Sequence, residues 1–387
     1  MAKTPVNPQV LKWARESANI TISEVAMKFK KNIEIIKSWE SGTDTPSYVQ
    51  LEKLAYEIYK RPIALFFFPN PPKEDDVRQS FRTLPETEYN NLPSVLIRQI
   101  RMAKVKQENL YELCNGKNTS PKQIIHELKV LQNYDMKELS LIIRDYLQIS
   151  LKQQKSWDSE DTALENWRNA FEHSGIFVFK DAFRHDDFSG FCLYDRVFPL
   201  IIINNSMPKT RQIFTLFHEL GHLLFETSGI DKLHDDYINL LPENDKKIEI
   251  LCNKFAAEIL VPNDDFTRNI KNIEVSEEEI SNLASYYRVS REVILRKFLD
   301  RNMVNERKYY ELATKWTDEA KKRRKEKKGG GSYYNTQSAY LGNKYLEITF
   351  NEYYKKIISE AQLANYLNMK IDSLPTFEMA LHKRWAK

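Results

Sequence analysis

Five consecutive residues, His218-Glu219-Leu220-Gly221-His222, carry the strongest chemical signal in the sequence. On a helix, positions i and i+4 share one face, so both imidazoles can reach one ion. Two imidazoles, a carboxylate and an open fourth position suit zinc. An ion held there acidifies water enough to attack a carbonyl near neutral pH, and Glu219 stands beside it to take the proton as general base. Zn2+ is therefore the expected cofactor, with His218 and His222 as its first two ligands. A third ligand has to come from downstream, where His234, Asp235, Asp236, Glu243, Glu249 and Glu258 are the candidates. Glu249 opens a helical stripe of Ile248, Cys252, Phe255, Ala256 and Ile259, and its turn can point a carboxylate at the preceding helix. It is favoured modestly over His234. Asn253 could steady a ligand from behind, and Cys252 reads as a packed core thiol.

The elements that must position these groups are legible around them. Apolar spacing predicts helices over 211–226 and 245–260, the second stopped by Pro262. Upstream, ALENWRNAFEHSG predicts a helix ending at Gly175. IFVFK and FPLIIIN predict two strands, with a third possible within HDDFSGFCLYD between them.

HELGH followed by IEILCNKFAAEILVP, with GIFVFK, FSGF and FPLIIINN upstream, resembles the ImmA/IrrE family of metallopeptidases over roughly residues 164–300. The resemblance implies a gluzincin-like site with His218, His222 and Glu249 as metal ligands and Glu219 as general base. It also implies that the strand around Pro199–Asn204 borders the cleft as an edge able to hold an extended peptide. Members of that family cut repressor-type regulators at few sites. A donor for the oxyanion could come from Tyr194, Tyr237, His185 or His234, on chemical grounds alone.

A second signal lies near the N-terminus. Residues 22–42, ISEVAMKFKKNIEIIKSWESG, place Ala26, Ile36 and Trp39 where a helix-turn-helix needs a small residue and two apolar anchors. Residues 8–69 resemble an Xre/Cro-type domain, which implies double-stranded DNA read by the start of the second helix of the motif. The implied DNA contacts are Lys31, Asn32, Ile33, Glu34, Lys37 and Ser38. Two features depart from the pattern. Lys30 holds the turn position usually given to Gly, so the turn needs either an unfavourable backbone conformation or a new shape. Glu34 on the reading face repels phosphate. Residues 1–69 carry ten Lys/Arg against seven Asp/Glu, a weak surplus for a protein whose affinity would be electrostatic.

The whole chain of 387 residues has 42% apolar and 29% charged residues and a net charge of +4. That composition excludes collagen-like and low-complexity proteins. Apolar runs are too short to cross a bilayer, no signal peptide is visible, and three scattered cysteines suit a reducing compartment, so a cytoplasmic protein is expected. The fold class expected is α+β, predominantly helical: a five-helix helix-turn-helix domain (1–69), a linker and helical connector (70–160), a zincin-like domain with a small sheet (161–305), and a C-terminal helical extension (306–387). The last begins with a basic run, Lys321 to Lys328, and a Gly-Gly-Gly-Ser joint. It is similar to the extension of longer Xre–ImmA/IrrE fusions, which implies an operon-encoded partner such as a PIN-like toxin. Residues 275–298 also have a helix-turn-helix look but read as core. No repeat of fixed period is visible. The expected function is a zinc endopeptidase cutting a repressor or other regulatory protein, with homodimer formation possible. The alternatives are a non-proteolytic regulator or antitoxin, and a toxin or anti-phage effector protease restrained by a partner.

Overall fold

The computed structural model describes residues 6–73, 81, 92–128, 135–232, 235–271, 273–326 and 332–385. It divides into two compact units, 1–102 and 103–387. The Pro-rich linker lies largely outside the described residues, as do the Gly tract and His234.

In the first unit, α1 (Pro8–Ser17), α2 (Ile22–Phe29) and α3 (Ile33–Ser41) enclose Val10, Leu11, Val25, Ala26, Ile36 and Trp39. α4 (Tyr48–Glu52) continues as a π-helical stretch, Lys53–Tyr59. The expected fifth helix is only a 3-10 turn, Ile63–Phe67, because Pro62 precedes it and Pro69 follows closely. Thr21 and Glu24 form a capping box that starts α2. Arg15 on α1 donates to both carboxylate oxygens of Glu40 on α3, at 2.6 and 2.9 Å. Lys30 takes the unfavourable conformation rather than reshaping the turn: its φ is 51° and its ψ 46°. A Cβ in that region costs about 1 kcal/mol. Lys30→Gly is therefore expected to stabilise this unit by about 0.5–1 kcal/mol, slowing hydrogen exchange of α2 and α3 amides in the full chain by about two- to fivefold. Unchanged or faster exchange would refute the strain.

The second unit begins within α5 (Ser94–Leu113). Four helices follow: α6 (Ile124–Glu127), α7 (Met136–Leu147), α8 (Leu151–Ser156) and α9 (Glu160–His173). β1 (Phe177–Asp181), β2 (Phe188–Leu193), β3 (Leu200–Asn204) and a later β4 (Ile230–Lys232) form a sheet in the order β1-β3-β2-β4. β1 runs parallel to β3, whereas β2 runs antiparallel to both β3 and β4. One face, with Val178, Cys192, Ile201 and Ile203, packs against α9 and against α10 (Lys209–Leu224). On the other face Phe179 meets Tyr345, and Phe198 meets Tyr111 of α5. Both faces are covered, so these strands are continuous apolar runs without alternation.

This order corrects one expectation. β3 is bonded on both sides and offers no edge to a peptide. The edges are β1 and β4. Arg168 of α9 donates two hydrogen bonds to the Val178 carbonyl on β1, one at 3.0 Å. The same guanidinium reaches the Ala339 carbonyl at 2.5 Å, in α16 (Tyr333–Leu341).

α11 (Glu243–Leu260) crosses α10, and the buried Arg144 of α7 donates to the Ile259 carbonyl at its end. α12 (Asn263–Asn269), α13 (Glu277–Tyr287) and α14 (Arg291–Leu299) complete the core. Ile280, Leu283, Ile294 and Phe298 are fully enclosed, so 275–298 is core as expected. The long α15 (Glu306–Glu326) adds Leu312 and Trp316 to the same core. After α16 come α17 (Asn343–Tyr354), α18 (Glu360–Tyr366) and α19 (Leu374–Trp385). Among the described residues no helix is long and apolar enough to cross a membrane.

Candidate metal centre

α10 carries His218 and His222 one turn apart on its buried face. α11 brings Glu249 against them from its second turn. The two helices come this close because Gly221 has no side chain: a Cβ there would sit 2.8 Å from the Cys252 sulfur. Gly229, just before β4, lies equally close to the His222 ring, where a Cβ would come within 2.4 Å.

The three side chains converge. His218 Nε2 lies 3.2 Å from His222 Nε2, and each is 3.3 Å from a different oxygen of Glu249. Zinc bonds of about 2.0–2.1 Å at tetrahedral angles set ligand atoms roughly 3.3 Å apart. The trio therefore fits a zinc ion by spacing and donor type. The far ring nitrogens are engaged: His218 Nδ1 meets Asn253 Oδ1 at 2.9 Å, and His222 Nδ1 meets Thr227 Oγ1 at 3.4 Å. Donation from Nδ1–H to Asn253 leaves the Nε2 lone pair of His218 for a metal. Asn253→Ala is expected to weaken zinc binding by about ten- to hundredfold, with the fold intact, in competition with a chelating dye. Equal affinity would remove Asn253 from the site.

Charge reinforces the geometry. Burial alone would lower the His218 imidazole, but Asp231 and then Glu249 outweigh it and push it up to about 9. Burial would raise Glu249, yet His222 and His218 hold it well below the carboxylate range. Without an ion the cluster therefore keeps a proton that a metal displaces, so acid weakens metal binding.

Glu219 is fully buried, and neither carboxylate oxygen has a hydrogen-bond partner among the described residues. Burial pushes its pKa up. A buried carboxylate left without a partner is costly. Here it adjoins the metal ligands, where a proton acceptor is needed.

The other candidates fall elsewhere. Glu243 is exposed and pairs with Lys247. Glu258 binds Lys297 at 3.0 Å and accepts from the Asn263 amide. The side chains of Asp235, Asp236 and Tyr237, like His234, lie outside the described residues. Tyr194 faces Arg196 and Glu226, and His185 packs on Phe188 beside Asp187. Thr227 and Asp231 escaped the sequence reading, since Thr227 sits in irregular chain after α10 and Asp231 in the three-residue β4, neither with a periodicity to flag it. Asp231 accepts from Arg211 at 2.6 Å and from Thr215 at 2.7 Å, tying β4 to α10.

In the first unit, Lys31, Asn32, Ile33, Glu34 and Lys37 are all exposed, and Ser38 is half-buried. Asn32 caps α3, Ser38 bonds back to the Ile35 carbonyl, and Lys37 pairs with Glu34 at 2.9 Å.

Paired histidines one turn apart, a carboxylate from the next helix and an unpartnered Glu between the ligands define a metallopeptidase-type domain. Residues 171–299 match the peptidase M78 family, described as the IrrE N-terminal-like domain. The chain is similar to the radiation response metalloprotease IrrE of Deinococcus deserti, 40% identical over 74 residues, and to that of Deinococcus radiodurans, 41% identical over 71 residues. Each alignment covers 18% of this chain and a quarter or less, 25% and 21%, of the relative.

Proposed function

We propose that this protein is a zinc-dependent endopeptidase acting on a repressor or another regulatory protein. The observation that carries the reading is the spacing of His218, His222 and Glu249 at tetrahedral ligand distances beside an orphaned Glu219. His218, His222 and Glu249 would hold the ion, which when bound supplies Lewis acidity. Asn253 and Thr227 fix the imidazole tautomers. Glu219 accepts the proton of the attacking water and delivers it to the leaving amine. Its burial favours the neutral form, which suits a group that must hold that proton between the two events. Burial of the whole cluster limits bulk water and strengthens each charge interaction.

The N-terminal unit is read as a helix-turn-helix domain that meets DNA through Lys31, Asn32, Ile33, Glu34, Lys37 and Ser38. The pairing of Lys37 with Glu34 leaves that face almost neutral. Met27 and Val49 nearby are 73% exposed. Both features favour a second reading, in which this unit docks a protein partner and the chain acts as a regulator, antitoxin or restrained effector.

Capture tests the proposal. A tagged Glu219→Gln chain, expressed in the native host, is expected to retain a protein that the wild-type chain then cuts with zinc and leaves intact with chelator. A retained protein that wild type never cuts would overturn the peptidase reading in favour of partner binding.

A further inference from the structure

Cys192 stands on the face of β2 that packs against α10, and it is fully buried. Its sulfur does more than fill space. Gly229, in the short chain between α10 and β4, is held at both of its backbone groups by this one residue. The Cys192 amide donates to the Gly229 carbonyl at 3.0 Å, and the Gly229 amide donates to the Cys192 sulfur at 3.2 Å. Beside it the Tyr194 amide donates to Ser228 Oγ at 2.9 Å. The segment 227–229 is thereby fastened to β2.

That fastening makes a seat for His222. Thr227 Oγ1 meets the ring at Nδ1, at 3.4 Å. Gly229 lies against the ring itself: a Cβ there would fall 2.4, 2.5 and 2.7 Å from Cδ2, Cγ and Nε2. Distances so alike to three contiguous atoms place it over the face of the imidazole, since an approach in the ring plane would favour Cδ2 alone. Thr227 therefore meets the edge of the ring and Gly229 its face. Nε2, the atom that converges with His218 and Glu249, is among the three.

The same thiol adjoins Glu219, which lies one turn before His222 on α10. Glu219 makes no close hydrogen bond, and its polar neighbour on β2 is Cys192. A thiol accepts through its sulfur and donates through its proton. Accepting from Gly229 leaves that proton for the carboxylate. A buried Cys ordinarily serves as a small core hydrophobe. Here an amide is aimed at the sulfur, a metal-ligand ring rests on the residue that owns the amide, and a carboxylate stands beside the thiol.

We propose that Cys192 is a positioning residue of the metal centre: through Gly229 it sets the plane of the His222 ring, and through its thiol proton it holds the Glu219 carboxylate. The inference rests on the zinc-peptidase reading and adds to it a residue outside the ligand set.

The test uses the full chain. Zinc is competed against a chelating dye, and cobalt is loaded in place of zinc because its visible bands report ligand geometry. Cys192→Ala is expected to lower zinc affinity about tenfold or more and to shift the cobalt bands. Cys192→Ser restores an acceptor for the Gly229 amide and a proton for Glu219, and is expected to stay within about threefold of wild type. Gly229 is not in the left-handed region, so alanine there is strained only by the ring, and Gly229→Ala is expected to lose at least as much as Cys192→Ala. Wild-type affinity and cobalt bands in Cys192→Ala overturn the proposal, as does a serine variant no better than alanine. The infrared S–H band that disappears in Cys192→Ser belongs to Cys192, and it is expected to move in zinc-loaded Glu219→Gln. A band that stays in place overturns the hold on Glu219. A wild-type chain that binds neither metal overturns the peptidase reading itself, whereas metal binding left unchanged by all three variants overturns this inference alone.

Discussion

Glu219→Gln is expected to bind one zinc per chain with native affinity and to cleave its substrate about a thousandfold more slowly than wild type. The substitution keeps the shape of the side chain and removes its proton affinity. In the structure Glu219 makes no close hydrogen bond, and its polar neighbour on β2 is the Cys192 thiol, so the substitution costs little structurally. General acid–base groups contribute roughly 10² to 10⁴ in rate, and this one acts in both halves of the reaction. Metal content by atomic emission, alongside single-turnover cleavage of the captured protein, separates the two effects. Rapid cleavage by the variant would sink the role given to Glu219. Lost zinc would mean that Glu219 belongs to the metal shell.

Glu249→Ala has the opposite profile. It removes one of three ligands and leaves two imidazoles 3.2 Å apart without their counter-charge. Zinc affinity is expected to fall by well over a hundredfold, since even an outer-shell partner contributes ten- to hundredfold. Bound metal stabilises the native chain by mass action, about 4 kcal/mol at a thousand times its dissociation constant. The wild-type melting temperature therefore rises with zinc, whereas that of Glu249→Ala stays flat in calorimetry. A zinc-dependent shift retained in the variant would show that the third ligand lies elsewhere in the chain.

How far the sequence carries depends on the range of the interaction involved. HELGH is local, and the i, i+4 geometry of a helix fixes both histidines before any tertiary contact forms. Glu249 is a matter of helix crossing. Spacing left it hardly ahead of His234, and only the close pass of Gly221 over Cys252 brings it to the histidines. The three strands with apolar runs were legible. β4 was not, because three residues, Ile-Asp-Lys, give no pattern. That β3 is no edge follows from its place between β1 and β2, a parallel pairing of β1 with β3 that strand patterns alone do not disclose. Lys30 raised a question that only its backbone angles answer. The likeness of α17, α18 and α19 to α1, α2 and α3, with capping boxes at Thr21 and Ser359 and left-handed turns at Lys30 and Asn368, escaped notice for another reason. The helices keep residue type rather than identity, with Trp39 answered by Phe377 and Thr21 by Ser359, and the second set stands at the far end of the chain.

The Arg168 guanidinium, shared between the carbonyls of Val178 and Ala339, has a consequence for how the molecule would come apart. It stitches the C-terminal segment to the outermost strand, and the Lys344 amide adds a bond to Glu172 beside it. A protease that nicked the glycine tract would sever the covalent chain without freeing the tail. The two fragments would migrate as one particle until denatured. Deleting the tail instead would bare an unpaired strand edge, a surface on which copies of a truncated chain would stack.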